Sequence, residues 1–237
     1  MSEGPREATS PTRSAAPALP TGQRIAPLRR FGLPWFAPMV PAPPALPTIT
    51  VGGTVRRPTQ LTVPEVMRLA DRATLRADLH CVTTWTATGL CWGGVPFAAV
   101  LAYLTELVRP HRDVRWVTLT GLDGYRACLR LDDATAPDVL LADTLDGAPL
   151  DLAAGAPVRL VAPEHYGYKS VRHVAAIDFR TRYDSGSAGW LAHPRARVAR
   201  EERSRGLPGV LWRPVWRWSQ PRVRRRYDRY PVPPGKH

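Results

Sequence analysis

Proline has no backbone N–H and a fixed φ, so its distribution decides where a chain can build hydrogen-bonded helix and sheet. The 26 prolines of this sequence fall mostly before Pro64 or after Pro194, while the stretch between is rich in Val, Leu, Ala and Trp. Regular structure and a buried core are therefore expected in the middle of the chain, with proline-rich flanks. A length of 237 residues allows a sizeable core, and one domain with tails is the simpler division.

Residues 1–24 mix Pro, Ser, Thr, Ala and charge without a period. Such a composition buries too little apolar surface to offset its ordering entropy, so a disordered arm is expected there. From Ile25 to Pro47, Phe31, Leu33, Trp35, Phe36 and Met39 stand among prolines, the pattern of an extended segment pinned to a domain by aromatic anchors, which serve either as structural packing or as part of a ligand rim. The domain is expected over residues 25–183, and an Arg- and Trp-rich C-terminal extension over 184–237.

Within the domain, Ile49 to Val55 reads as a strand with a glycine turn, and Thr62 as the cap of a short helix running from Pro64 to Leu69. Thr74 to Trp85 is strand-like in its β-branched content, and Trp92-Gly93-Gly94-Val95-Pro96 reads as a turn into a helix. In that helix Phe97, Val100, Leu101, Leu104 and Val108 recur at helical spacing. Further strands are expected at Val114–Leu119, Tyr125–Leu131, Val139–Ala142, Val158–Val161 and Val171–Phe179, with hairpin turns at Asp123-Gly124 and Asp146-Gly147. Many short strands with a few short helices make an α+β domain with a mixed sheet.

The formal net charge of +13 points to an anionic partner, whether ligand, membrane surface or nucleic acid. Its placement weakens the nucleic-acid reading, because much of it lies in the tail between Arg195 and Arg229, where a solvated basic surface accounts for it. Cys81, Cys91 and Cys128 are too few and too irregular for a disulfide framework, so a reducing, cytoplasmic setting is expected. The alternative is export by an atypical twin-arginine signal at Arg29-Arg30-Phe31, although prolines from Pro34 to Pro44 interrupt its apolar stretch. No apolar run approaches the roughly 20 residues of a membrane span, so no transmembrane segment is expected.

Cys81 follows a strand-like run and precedes a glycine-containing loop, a position from which a thiol can be presented at a sheet edge. Taken alone it is a weak signal, since a lone Cys is usually a small buried hydrophobe. A thiolate is also a suitable soft ligand for a redox metal, and one is enough where a cofactor supplies the other sulfurs. Around it stand, in order, His80-Cys81-Val82-Thr83-Thr84-Trp85, Cys91-Trp92-Gly93-Gly94-Val95-Pro96, Asp123-Gly124-Tyr125, and Leu140-Leu141-Ala142 with Leu145-Asp146-Gly147-Ala148-Pro149-Leu150. They continue with Gly155-Ala156-Pro157-Val158-Arg159-Leu160-Val161-Ala162-Pro163 and Tyr166-Gly167-Tyr168-Lys169-Ser170-Val171-Arg172. Across roughly residues 48–183 this ordered set resembles the oxidoreductase molybdopterin-binding domain of the sulfite oxidase superfamily.

The resemblance implies an α+β, sulfite-oxidase-type fold with mixed sheets and short helices. It also implies a molybdenum-molybdopterin cofactor, with Cys81 standing where the family's catalytic, metal-ligating cysteine stands. Cys91 and Cys128 fall at no ligand position. Molybdopterin ends in a phosphate and offers many hydrogen-bonding edges, so its slot needs cations and backbone donors. By the resemblance these come from Tyr166, Gly167, Lys169, Ser170 and Arg172, from Arg159, and from His80 and Thr83 beside the metal, with Asp123 and Tyr125 nearby. A strand cap for His80 and a turn role for Asp123 stand as equal alternatives.

Two departures from the family pattern bear on the cofactor contacts and on the substrate, respectively. Ala154 stands where methionine-sulfoxide-reducing members carry Asn, and Thr83 and Thr84 follow the cysteine where sulfite-oxidising members place an arginine. The expected activity is oxygen-atom transfer to or from a small sulfur-containing or related substrate. The alternative is reduction of S-oxides or N-oxides such as methionine sulfoxide. With neither a haem motif nor an iron-sulfur cysteine set in view, electrons are expected to pass through an external carrier or a membrane haem subunit. A reading of another class, a basic nucleic-acid-binding protein, rests on the Arg-rich tail with Trp212, Trp216 and Trp218.

Overall fold

The structure is a computed structural model, and it describes residues 19–232. Residues 1–18, most of the expected N-terminal arm, lie outside the described residues. The rest of that arm is bound to the fold: β1 (Arg24–Ile25) pairs in parallel with a strand of the domain, and the chain then makes a single 3-10 turn at Pro34–Phe36.

β2 (Thr48–Gly53) and β3 (Thr59–Thr62) form a hairpin. Thr62 caps α1 (Val63–Val66) reciprocally, its Oγ1 accepting from the Glu65 N–H while Glu65 accepts from the Thr62 N–H. This helix stops at Val66, short of the expected Leu69. The run read as one strand from Thr74 to Trp85 is divided among β4 (Ala73–Arg76), β5 (Leu79–Cys81) and the start of β6 (Trp85–Ala87). β7 (Cys91–Pro96) overturns the expected Gly93-Gly94 turn. Both glycines lie inside a strand, where a Cβ on Gly94 would collide with the Leu141 carbonyl and one on Gly93 with the Thr144 side chain.

α2 (Phe97–Val108) buries all five residues of its predicted stripe. There follow β8 (Trp116–Gly121), β9 (Arg126–Arg130), α3 (Leu131–Ala134), β10 (Leu140–Leu145), β11 (Ala148–Pro149), β12 (Arg159–Val161) and β13 (Val174–Arg180). A 3-10 segment at Gly186–Leu191 leads to α4 (Gly209–Asp228), a helix in a region where the sequence had pointed to none. Pro214 and Pro221 both lie within it. They stand two turns apart on its solvent face, so the carbonyls of Val210 and Arg217 that lose their partners also face water.

Three mixed or antiparallel sheets result, in the orders β1-β6-β5, β11-β10-β7-β4 with β12 also on β10, and β3-β2-β13-β8-β9. Only β1–β6 and β2–β13 pair in parallel. The middle sheet is apolar on both faces. Leu141 and Leu160 point into the main core with α2 and the third sheet, whereas Leu140, Ala142 and Val161 point into a second cluster with Trp85, Trp92 and Phe31. This is why Val139-Leu140-Leu141-Ala142 is a continuous apolar run and not an alternating one. The second cluster lies under the Cys81 turn. Its fusion of β5, β6 and the N-terminal segment is what positions the site.

Candidate cofactor site

Cys81 is the last residue of β5, and residues 82–84 turn the chain back into β6. Thr84 closes the turn with its N–H on the Cys81 carbonyl at 3.2 Å and a left-handed φ of 73°. A β-branched residue there carries about 1–3 kcal/mol of strain and persists only where its surroundings over-determine it. Both flanks of the chain do so. Gln23 Nε2 donates to the Cys81 carbonyl at 3.1 Å, the Arg24 N–H to the Thr84 carbonyl at 3.1 Å, and Arg203 Nη1 to the Val82 carbonyl at 2.8 Å.

The Cys81 Sγ lies 3.1 Å from Thr83 Oγ1. Burial pushes its pKa up to about 11, against the opposing hydrogen bond from Thr83 and the charge of Arg203. Left alone it is a thiol, and a bound metal would make it a thiolate.

Cys81 and Thr83 open onto a cleft of about 1110 Å³, counting its mouth to solvent. Arg159, Gly167, Ser170 and Arg172 line the same cleft, as do Asp123 and Tyr125. Arg159 is 3% exposed and donates to the carbonyls of Ala154 at 2.6 Å and Ser170 at 3.3 Å, with its guanidinium 4.9 Å over the Trp92 ring. Burial, then the charge of Arg172, pushes its pKa down to about 9, and its hydrogen-bond partners include no carboxylate. The Ser170 Oγ accepts from the Ala162 N–H at 3.2 Å. Asp123 performs its turn role, accepting from the Tyr125 N–H at 3.0 Å, while the Tyr125 hydroxyl donates to the Tyr168 carbonyl at 2.8 Å.

His80, Tyr166 and Lys169 are not among the lining residues and stand behind the wall. The His80 carbonyl accepts from the Gly167 N–H at 2.7 Å, tying the Gly167 loop to β5, and its ring Nδ1 meets Thr86 Oγ1 at 2.9 Å. Tyr166 is buried beneath Arg203, whose guanidinium sits 5.1 Å over its ring. The buried Lys169 Nζ donates to the carbonyls of Cys128 at 2.5 Å and Pro194 at 2.8 Å, and burial pushes its pKa down to about 8. Lys169 thus fastens the chain after the second 3-10 segment to β9.

Sequence reasoning missed several residues. Arg203 is fully buried and reaches the Cys81 turn from 121 residues away, yet stands in a run of arginines that singles none out. Val223 and Tyr227 of α4 were likewise not foreseen; with Trp216 and with Phe31, Leu33 and Phe36 of the N-terminal segment, which the sequence offered as packing or as a cofactor rim, they give the cleft an aromatic and aliphatic wall. Phe31 meets Trp85 edge to face and stacks on Tyr227, at 5.7 and 5.9 Å between ring centroids.

Two details test the site against a molybdopterin. The Trp85 indole N–H, at the cleft, is buried without a partner, and Arg159 is a buried cation without a carboxylate. Both are costly unless an acceptor or an anion arrives. With Arg172 and the soft Cys81 thiol on the same walls, the donor set suits an acceptor-rich, phosphate-bearing cofactor whose metal binds sulfur.

Comparisons with known proteins agree. The family model for the oxidoreductase molybdopterin binding domain matches residues 39–188. A protein-methionine-sulfoxide reductase catalytic subunit MsrP from Xanthomonas axonopodis pv. citri (strain 306) is 33% identical over 150 residues, which are 56% of this chain and 44% of that protein. Its counterpart from Pseudomonas syringae pv. tomato (strain ATCC BAA-871 / DC3000) is 30% identical over 196 residues, 70% of this chain and 57% of the relative. The chain thus spans about half the length of the curated relatives it matches. Among solved structures, the sulfane dehydrogenase SoxCD from Paracoccus pantotrophus aligns with a TM-score of 0.49 at 21% identity, covering 60% of this chain and 39% of that one. With the ordered motifs, the cleft chemistry and a family match over most of the domain, the chain belongs to the oxidoreductase molybdopterin-binding domain family.

Proposed function

We propose that the cleft holds molybdenum-molybdopterin with Cys81 as metal ligand and catalytic residue, and that the chain transfers an oxygen atom to or from a small sulfur-containing or related substrate. The observation that carries this is one thiol, a buried carboxylate-free Arg159 and Arg172 around a single cleft. When bound, the cofactor supplies two-electron oxygen-atom exchange. The chain's own residues do the rest. Arg159 and Arg172 would neutralise the cofactor's phosphate, and Gly167 and Ser170 would let the backbone and a hydroxyl approach its edges. Thr83 would orient the sulfur. His80, Tyr166 and Lys169 would act indirectly, by holding the Gly167 loop, Arg203 and the 193–196 segment in place.

Reduction of an S-oxide such as methionine sulfoxide is the alternative. It is favoured by the names of the relatives and by the apolar wall of Phe31, Leu33, Phe36 and Val223, which suits a thioether better than a small dianion. Electrons would come from an external carrier or a membrane haem subunit; among the described residues no helix is long and apolar enough to cross a membrane.

The test is molybdenum content by elemental mass spectrometry, with pterin released oxidatively, for wild type and Cys81→Ser made in a host that synthesises the cofactor. Near-stoichiometric metal and pterin in wild type and an altered metal spectrum in the variant are expected. A well-folded wild-type protein free of both would overturn the proposal. Dye-linked assays with sulfite and with methionine sulfoxide then separate the two substrate readings.

A further inference from the structure

The outer face of α4 plays no part in the cleft. Its inner face, Trp212, Trp216, Val223 and Tyr227, packs against the domain and the wall of the site. On the opposite side Val210, Leu211, Val215 and Trp218 are between 48% and 65% exposed. At 100° per residue they fall in one stripe with the exposed Pro214 and Pro221, about 16 Å long from Val210 to Pro221 at ~1.5 Å per residue. Toward the C-terminus the same stripe turns basic. Arg222, Arg225 and Arg229 continue it, and Arg217 and Arg224 border one side. On the helix the single acid is Asp228. A contiguous exposed apolar stripe bounded by one sign of charge marks an interaction surface.

We propose that this face of α4 lies on an anionic lipid surface, with its apolar half at the level of the headgroups and the arginines on lipid phosphates. Three features favour lipid. The face offers area and diffuse positive charge, and the open groove that Val210, Pro214 and Trp218 line with Gly22 also carries Arg213 and Arg217, which suits a phosphate headgroup. The long arginine stems can follow the apolar stripe while their guanidinium heads reach outward. Trp218, stacked with the Arg222 guanidinium 3.9 Å above its ring, presents the apolar body and polar edge that suit the membrane–water interface. Charge complementarity with phosphate would also serve nucleic acid. The stripe, however, is mostly aliphatic, and Leu211, Val210 and Val215 have no counterpart among stacked bases.

The experiment is flotation of the full chain with vesicles of phosphatidylcholine alone and with about one part phosphatidylglycerol in four, at roughly 0.05 M and 0.5 M salt. The wild type is expected to float with the anionic vesicles at low salt and to stay behind with neutral ones. Leu211→Glu with Trp218→Glu should reduce the bound fraction at least about tenfold while the thermal melt is unchanged, because neither side chain packs in the fold. Arg222→Ser with Arg225→Ser should do the same, and serves as the independent variant should the first pair disturb folding. No flotation at low salt, equal flotation with neutral vesicles, or flotation indifferent to both variant pairs would overturn the proposal. So would capture by single-stranded RNA that anionic vesicles fail to compete away.

Discussion

Replacing Arg203 by Met should do two separable kinds of damage. The side chain is fully buried, and its guanidinium donates to the Val82 carbonyl in the Cys81 turn at 2.8 Å, to the Thr21 carbonyl at 3.1 Å and to Glu201 at 3.1 Å. Hydrogen bonds from a charged donor contribute about 1.5–3 kcal/mol each, so loss of the two carbonyl partners removes roughly 3–6 kcal/mol. Relief of the buried charge offsets part of that, since Glu201 keeps Arg213 as its partner. A net loss of about 3–4 kcal/mol is expected, or some 6–16 °C in Tm for a domain of this size. The turn also loses one of the three ties that hold Thr84 in its strained conformation, so cofactor retention after gel filtration should fall well beyond what the stability loss explains. Arg203→Lys should recover about half of the stability by keeping the charge and one donor. Arg213→Met, which shares Glu201 but leaves the turn untouched, should cost far less than Arg203→Met. Urea unfolding of cofactor-free protein and metal content of loaded protein read the two effects apart. Were Arg203→Met within about 1 kcal/mol of wild type, or Arg213→Met equally harmful, the clamp would not exist.

Arg159→Met should lower pterin content at least about tenfold, while moving the cofactor-free Tm less than Arg203→Met, because the loss of its carbonyl hydrogen bonds is offset by relief of a buried cation that, unlike Arg203, has no carboxylate beside it; a large loss of apo stability with pterin intact would contradict this. Gly155 holds φ at +120°, and a Cβ there would lie 3.0–3.1 Å from both Arg172 and Arg159, so Gly155→Ala should cost about 1–3 kcal/mol and weaken cofactor retention; unchanged melting would argue against the strain. His173 is fully buried, and burial pushes its pKa down to about 4, against the opposing hydrogen bond to the Ala156 carbonyl. The unfolded chain takes up this proton near its ordinary value of about 6.5 while the fold refuses it. Stability is therefore full above about pH 6.5 and falls as pH drops toward 4, by up to about 3 kcal/mol from this one group. His173→Gln should flatten the pH dependence of Tm in that window, and an equally steep profile in the variant would assign the effect elsewhere.

Some of this was readable without coordinates because it is written in short-range pattern. The α2 stripe from Phe97 to Val108 repeats at helical spacing, Asp123-Gly124 turns one strand into the next, and Thr62 with Glu65 spells its own cap. The order of motifs around Cys81 identified the family, and with it the residues to examine for a cofactor. Gly93 and Gly94 misled for a physical reason: locally a glycine pair looks like a turn, and what demands it is the close approach of Leu141 and Thr144 on a strand nearly fifty residues away. α4 was hidden by Pro214 and Pro221, which are tolerable only because both fall on the solvent side of a helix held by its opposite face.

The sequence by itself determined the short-range elements, the charge and the family, since periodicity, capping and motif order are properties of neighbouring residues. The tertiary structure decided which of many arginines matter. Arg203, which nothing in its neighbours marks, differs from the exposed arginines in being enclosed between the two flanks of the chain, and Arg159, which its motif had already marked, is enclosed beneath the cleft. Enclosure of Arg203 is created by contacts across more than a hundred residues, which raise the cost of an unpartnered charge and so turn an ordinary arginine into a clamping one.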